Sequence, residues 1–242
     1  MLDNILDYEH DLFLQLNHFQ SPFGNQFMWL FSGKIAWVPV AVLFILLLFY
    51  KNRHRWKEVL LIFTAIALVV TLCDQFASGF CKPFFTRFRP THHPDFMDEV
   101  STVFGYRGGR YGFISSHASN AFGFATLTSL IFKCRFYSIM LFTWATINSY
   151  SRIYLGVHFI SDIVPGIVTG LLFGWLVYKI YIIIGRKAIA GNIVADSDNK
   201  EEYLHKYNGL NIILYVLILT IAVISLISLL YALEVIPALT VK

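Results

Sequence analysis

Six runs of apolar residues, separated by shorter polar segments, organise the chain. A helix needs about 20 apolar residues to cross a bilayer, and most of the runs approach that length. They cover residues 28–50, 59–80, 112–132, 136–152, 159–184 and 210–233. The pattern predicts an all-α fold in which a bundle of six transmembrane helices forms a single domain over residues 1–242.

The segment ahead of the first run, residues 1–26, has a different pattern. Apolar side chains such as Leu6, Phe13 and Leu16 recur near helical spacing among polar residues. This predicts an amphipathic helix, which either lies on the membrane surface or packs against the bundle. The segment does not open with basic residues followed by an isolated apolar run, so we expect no cleavable signal peptide.

Composition agrees with a membrane protein. Hydrophobic residues make up 57% of the chain and charged residues 14%, and the mean hydropathy is +0.61. This composition argues against a soluble domain, and no nucleic-acid partner is expected. Three cysteines do not suggest a disulfide framework.

The basic residues predict an orientation. Counting through six spans places eleven of them on one side, which should face the cytoplasm by the positive-inside bias: Lys51, Arg53, Arg55, Lys57, Lys133, Arg135, Lys179, Arg186, Lys187, Lys200 and Lys206. The segment 195–206 is expected to be a solvated cytoplasmic loop. The other basic residues gather at helix ends on the outer side, among them Lys82, Arg87, Arg89 and Arg152.

Two polar clusters lie where runs end or begin on that outer side. Lys82 and Arg89 follow the second run seven residues apart, two helical turns, and could point the same way. Taken alone they could equally be interfacial cations that reach the lipid headgroups. Ser115, Ser116 and His117 open the third run, where the free amides of a helix start attract an anion. A simple capped helix would also explain this second cluster.

A third cluster joins the fourth and fifth runs. His158 and Asp162 are spaced i and i+4, so the carboxylate can bind one imidazole nitrogen and leave the other free as a nucleophile. Arg152 precedes them. Ionisable residues at the mouth of a span indicate function. All three clusters emerge on one side, where cations, a helix start and two histidines suit phosphoryl transfer.

These segments resemble the three-part signature of the type-2 phosphatidic acid phosphatase (PAP2) family, K-x6-R-P, P-S-G-H and S-R-x5-H-x3-D. Residues 82–90 and 151–162 match fully, whereas Ile114 and Ser116 replace the proline and glycine of the middle part. The match covers about a third of the chain and its order follows the predicted topology.

The resemblance implies metal-independent hydrolysis of a phosphate or diphosphate on a membrane lipid, without a cofactor. His158 would attack phosphorus to form a phosphohistidine, Asp162 would orient it, and His117 would protonate the leaving oxygen. The phosphate oxygens would be held by Lys82, Arg89, Ser115, Ser116 and Arg152.

From the resemblance to this family, the first expected substrate is undecaprenyl diphosphate. Phosphatidylglycerol phosphate, phosphatidic acid and lipid A are alternatives. The expected place is the bacterial cytoplasmic (inner) membrane, with the site on the outer, periplasmic face. A lipid transporter and an inactive lipid-binding relative are more remote interpretations. His92 and His93, with the nearby carboxylates, suggest a metal site less strongly than a solvated lid over residues 91–110.

Overall fold

The computed structural model describes residues 2–51, 56–188 and 210–240, and helices dominate these residues. The predicted all-α class is confirmed. The α-helices are α1 (Leu2–Asn17), α2 (Pro22–Ser32), α3 (Val38–Lys51), α4 (Trp56–Asp74), α5 (Lys82–Phe85), α6 (Ser116–Phe132), α7 (Arg135–Tyr154), α8 (Ile160–Ala188) and α9 (Leu210–Ala232). A π-helical segment, Gln75–Cys81, joins α4 to α5, and short 3-10 turns cover Ile35–Trp37, Pro90–His92 and Met97–Glu99.

Within the described residues, three helical units are long and apolar enough to cross a membrane. They are Trp56–Phe85, Ile160–Gly185 and Asn211–Ala232. Their outward faces carry exposed large side chains such as Leu172 and Leu219. Such faces suit contact with lipid tails rather than water.

The first predicted span, residues 28–50, is not one continuous helix in the structure, and its crossing of the membrane stays a prediction. The chain forms α2 and then α3, and the two are bent by 67° relative to each other. The break falls at Gly33, whose backbone is extended (φ −73°, ψ 137°). Glycine is a poor helix former, and Pro39 fits only within the first turn of the next helix.

α6 and α7 do not meet the length and hydropathy that the other spans reach, so the count of six spans stays a prediction. α6 packs against α4, α7 and α8. Buried polar residues such as Ser119, Thr128 and Asn148 lower the hydropathy of the pair. α6 begins only at Ser116, four residues after the predicted start, and α7 continues to Tyr154, two residues past the predicted end.

α1 packs against the rest of the protein. Phe13 and Asn17 are fully buried. Phe13 contacts the rings of Phe96 and Phe159, and the Asn17 amide donates to the carbonyls of Ile153 and Tyr154. Of the two interpretations of residues 1–26, the structure supports a packing helix.

Part of the predicted cytoplasmic side lies outside the described residues. This applies to the loop 195–206 and to Arg53 and Arg55. At the other end of the bundle, the C-terminal segment returns to α2, where Leu239 exchanges two hydrogen bonds with the Gln26 amide.

Glycines allow α8 to lie directly against α6. A Cβ atom on Gly170 would be 2.5 Å from the Ser119 carbonyl oxygen and 2.9 Å from the Gly123 nitrogen. Gly166 meets the Ser115 carbonyl oxygen in the same way, at 2.7 Å. This close approach holds the beginnings of α6 and α8 side by side, as small residues do in membrane bundles.

We expect Gly170→Ala to lower the free energy of unfolding by about 1–3 kcal/mol, because the added methyl group has no space against the α6 backbone. Thermal unfolding in detergent would measure it. Val168→Leu is the matched control, since Val168 lies on the same helix and is exposed. Equal stability of the two variants would contradict the packing role of this glycine.

Candidate active site

The three polar clusters of the sequence meet at one end of the bundle. The α4–α5 unit ends there, α6 begins there, and the junction of α7 and α8 turns there. The Ser115 nitrogen donates to the Asp162 carbonyl oxygen at 3.0 Å, which joins the starts of α6 and α8. The expected convergence is therefore present in the structure.

His158 and Asp162 form a buried pair at the start of α8, and neither is exposed to solvent. His158 Nδ1 lies 3.3 Å from Asp162 Oδ2, which also accepts a hydrogen bond from the Phe159 nitrogen at 3.1 Å. His158 Nε2 is buried and has no hydrogen-bond partner in the part of the chain that the structure describes. One imidazole nitrogen is thus fixed and the other is free to react.

The surroundings keep His158 neutral. Burial lowers the pKa of the imidazole well below its ordinary value, and the nearby charges of Arg89, Arg152, Lys82 and Arg87 lower it further. Both causes disfavour a charged ring. A neutral imidazole with a free nitrogen is the form that can act as a nucleophile near pH 7.

Lys82 begins α5, directly after the π-helical segment. Its Nζ donates to Ser78 Oγ at 3.0 Å and to Ser116 Oγ at 3.3 Å, so this cation lies at the start of α6. Lys82 and Arg89 both act on His158, as expected, but they do not lie on one continuous helix. The helix ends at Phe85, and Thr86 adopts a left-handed conformation (φ 46°), so the chain itself bends back toward the site.

Arg89 is buried and extended beside the loop that leads to α6. Its backbone nitrogen donates to the Arg110 carbonyl oxygen at 3.1 Å, and its Nε donates to the Tyr111 carbonyl oxygen at 3.0 Å. Gly112 packs against both Asp162 and Arg89. A Cβ atom at this position would be 2.9 Å from Asp162 Oδ2 and 3.2 Å from Arg89 Cγ, so a side chain here would displace one of them.

Arg152 lies in the last turn of α7 and is 3% exposed. Its guanidinium donates to Ser32 Oγ at 2.5 Å and to the Tyr106 hydroxyl at 3.3 Å. Its Nε is buried and has no partner among the described residues. A buried donor without a partner costs free energy, and an anionic ligand would supply the acceptor.

The middle cluster has two different serines. Ser115 Oγ accepts the Ala118 amide as the helix cap of α6, so its side chain is used within the helix. Ser116 instead faces Lys82. Ser116 is the first helical residue and has no positive φ, so the absence of a glycine imposes no backbone strain here. His117 lies close enough to Arg152, His158 and Arg89 for their charges to act on it.

The structure adds residues that the sequence did not identify as part of the site. Arg87 pairs with Asp162 Oδ1 at 2.8 Å, and Glu9 pairs with Arg87 at 2.9 Å. Arg87 lies inside the first signature segment, so its position in the sequence already pointed to the site. No sequence pattern points to Tyr106 or Ser32. In the described ranges, no group of three or more His, Cys, Asp or Glu side chains could hold a metal ion, and residues 92–99 form none.

The comparisons with known proteins identify the family. The family model of the PAP2 superfamily matches residues 59–185. A lipid A 4'-phosphatase of Porphyromonas gingivalis is 50% identical over 181 residues, which are 75% of this chain and 76% of that protein. An undecaprenyl-diphosphatase of Sulfolobus acidocaldarius is 25% identical over 178 residues, covering 72% and 79%. The chain belongs to the PAP2 superfamily and is a membrane lipid phosphatase.

A solved structure agrees in fold. The transmembrane PAP2 type phosphatidylglycerolphosphate phosphatase from Bacillus subtilis aligns with a TM-score of 0.57 at 20% identity, covering 78% of this chain and 90% of that one. This likeness concerns the fold alone.

We expect Gly112→Ala to reduce phosphate release by about 10- to 100-fold, because the methyl group would displace Asp162 or Arg89 and small displacements of catalytic groups are costly. Gly109→Ala is the control in the same loop, since a Cβ there meets no atom within 4 Å. Initial rates of both purified variants would test it. A Gly112→Ala rate equal to that of the control would contradict the close fit.

Proposed function

We propose that the protein hydrolyses a phosphate ester of a membrane lipid through a phosphohistidine at His158. The observation that carries the proposal is the buried, unpartnered Nε2 of His158, with Asp162 fixed on the opposite ring nitrogen. Three cations on separate elements lie close enough to lower the pKa of this imidazole: Lys82, Arg89 and Arg152.

In the first step, the Nε2 lone pair forms a bond to phosphorus while the bond to the leaving oxygen breaks. His117 donates a proton to that oxygen, and Asp162 balances the positive charge that develops on the His158 ring. In the second step, water attacks phosphorus, the phosphorus–nitrogen bond breaks, and inorganic phosphate leaves. The water proton returns to His117, so the enzyme regains its starting state.

The three cations would hold the non-bridging phosphate oxygens. Phosphoryl transfer depends mainly on positioning and on charge stabilisation, and fixed guanidinium and ammonium groups supply both. Ser116 and the free amides at the start of α6 add donors. We assign Ser115 to capping the helix that presents these amides, because its oxygen accepts the Ala118 amide.

We expect His158→Asn to reduce phosphate release by at least roughly 1,000-fold, because loss of a covalent nucleophile is among the most damaging changes to an enzyme. Initial rates in detergent would measure it. After reaction with phosphate-labelled substrate and an alkaline denaturing quench, which preserves the phosphorus–nitrogen bond, the wild type should carry labelled phosphohistidine and the variant should not. His18→Asn is the control, since His18 directly follows α1 and is exposed. Full activity of His158→Asn would exclude this mechanism.

For the substrate, we propose the 4'-phosphate of lipid A. Support comes from the relative that is 50% identical and named as a lipid A 4'-phosphatase. This reverses the order expected from the sequence, where undecaprenyl diphosphate came first. Undecaprenyl diphosphate remains the second candidate, supported by the relative that is 25% identical. We place the reaction at the outer face of a bacterial inner membrane, following the distribution of basic residues.

We expect the purified protein to release phosphate from lipid A faster than from undecaprenyl diphosphate, phosphatidylglycerol phosphate or phosphatidic acid. A chelator should leave the rate unchanged, because fixed cations take the role of a metal. Mass spectrometry of the lipid product would show which phosphate is lost. Faster turnover of undecaprenyl diphosphate would overturn the substrate assignment and leave the mechanism intact.

A further inference from the structure

Arg87 holds the catalytic carboxylate from the side opposite His158. Asp162 Oδ2 faces the imidazole, whereas Asp162 Oδ1 accepts a hydrogen bond from Arg87 at 2.8 Å. The guanidinium also lies 4.8 Å from the centre of the Phe159 ring, within cation–π distance. A planar guanidinium with two such contacts fixes the rotation of the carboxylate.

Glu9 holds Arg87 and the start of α8 together. One carboxylate oxygen of Glu9 accepts a hydrogen bond from Arg87 at 2.9 Å, and the other accepts the Ser161 backbone nitrogen at 2.9 Å and the Ser161 hydroxyl. Ser161 is the second residue of α8, so Glu9 also places a negative charge at the start of that helix. The Glu9 side chain is only 13% exposed.

This arrangement connects α1 to the chemistry. The chain of contacts runs from Glu9 through Arg87 to Asp162 and His158. Glu9 lies outside residues 59–185, the part that the family model matches. Its role therefore does not follow from the family signature.

We propose that Glu9 and Arg87 are positioning residues for the Asp162–His158 pair, and that α1 is therefore a working part of the active site. The inference rests on the proposed function, because it assigns Asp162 and His158 their catalytic roles. Glu9 acts by restraining Arg87, whose side chain is 27% exposed, so that the guanidinium is held by a second carboxylate besides Asp162. Arg87 acts by holding the carboxylate in line with Nδ1.

The pH dependence gives a readout that a purely structural role would not change. The groups that face His158 are Asp162 on α8, Lys82 on α5, Arg87 and Arg89 on the segment after α5, His117 on α6 and Arg152 on α7. Removing the Arg87 cation makes protonation of His158 easier. The acidic limb of the kcat profile should therefore move to higher pH in Arg87→Gln.

The experiment compares Glu9→Gln, Arg87→Gln, Arg87→Lys and the double variant Glu9→Gln/Arg87→Gln in the full-length protein in detergent, with lipid A as substrate. We expect Glu9→Gln and Arg87→Gln each to lower kcat about tenfold, with KM within twofold of wild type. In the double variant, Glu9→Gln should add less than twofold to the effect of Arg87→Gln, because Glu9 acts through Arg87. Arg87→Lys should retain the wild-type acidic limb and recover part of kcat.

Asp11→Asn is the matched control, since Asp11 is an exposed carboxylate on the same helix. Thermal unfolding of every variant separates activity from folding. Three results would each overturn the inference. Either kcat is unchanged in Glu9→Gln and Arg87→Gln, or the effects of the two substitutions multiply in the double variant. In the third case, activity falls only with the folded fraction and the acidic limb of the kcat profile does not move.

His158→Asn in the same assay distinguishes the two proposals. If His158→Asn is inactive while the Glu9 and Arg87 variants behave as wild type, the inference fails and the proposed function stands. If His158→Asn retains activity, the proposed function fails, and the inference fails with it.

Discussion

The burial of one carboxylate, Asp162, constrains the rest of the site. A buried charge is stable only where every oxygen has a partner. Here one oxygen binds His158 and a backbone amide, and the other binds Arg87. The partners come from two separate parts of the chain, the segment after α5 and the junction of α7 and α8, so burying the carboxylate requires that both be in place. The same contacts leave Nε2 of His158 without a hydrogen-bond partner among the described residues.

The bundle supplies the rigidity that this arrangement needs. α6 and α8 approach through glycines, and their first turns are joined by the hydrogen bond between Ser115 and Asp162. The helix start that presents free amides is thereby held beside the helix that carries the carboxylate. Groups placed in advance of the reaction stabilise charge without reorganisation during the step.

The sequence predicted which segments come together better than it predicted their geometry. Three clusters could be assigned to one side because counting apolar runs needs no tertiary information. The path from Lys82 to Arg89 could not be predicted, since it depends on the left-handed turn at Thr86. The break at Gly33 coincides with Ser32-Gly33-Lys34, a short interruption of the apolar run 28–50 that could have predicted it. The contact between Glu9 and Arg87 joins residues 78 positions apart, and no local pattern encodes it.

The π-helical segment Gln75–Cys81 has a consequence for how this chain tolerates insertion and deletion. A π-helix accommodates an extra residue within an otherwise regular helix. Because the extra residue is absorbed locally, Lys82 still points toward Ser116. A length change that this segment did not absorb would turn the following residues by about 100° around the axis, and Lys82 would point away from Ser116 although every residue of the signature would still be present. The winding of Gln75–Cys81 therefore determines the position of the Lys82 ammonium group as much as the presence of the lysine does.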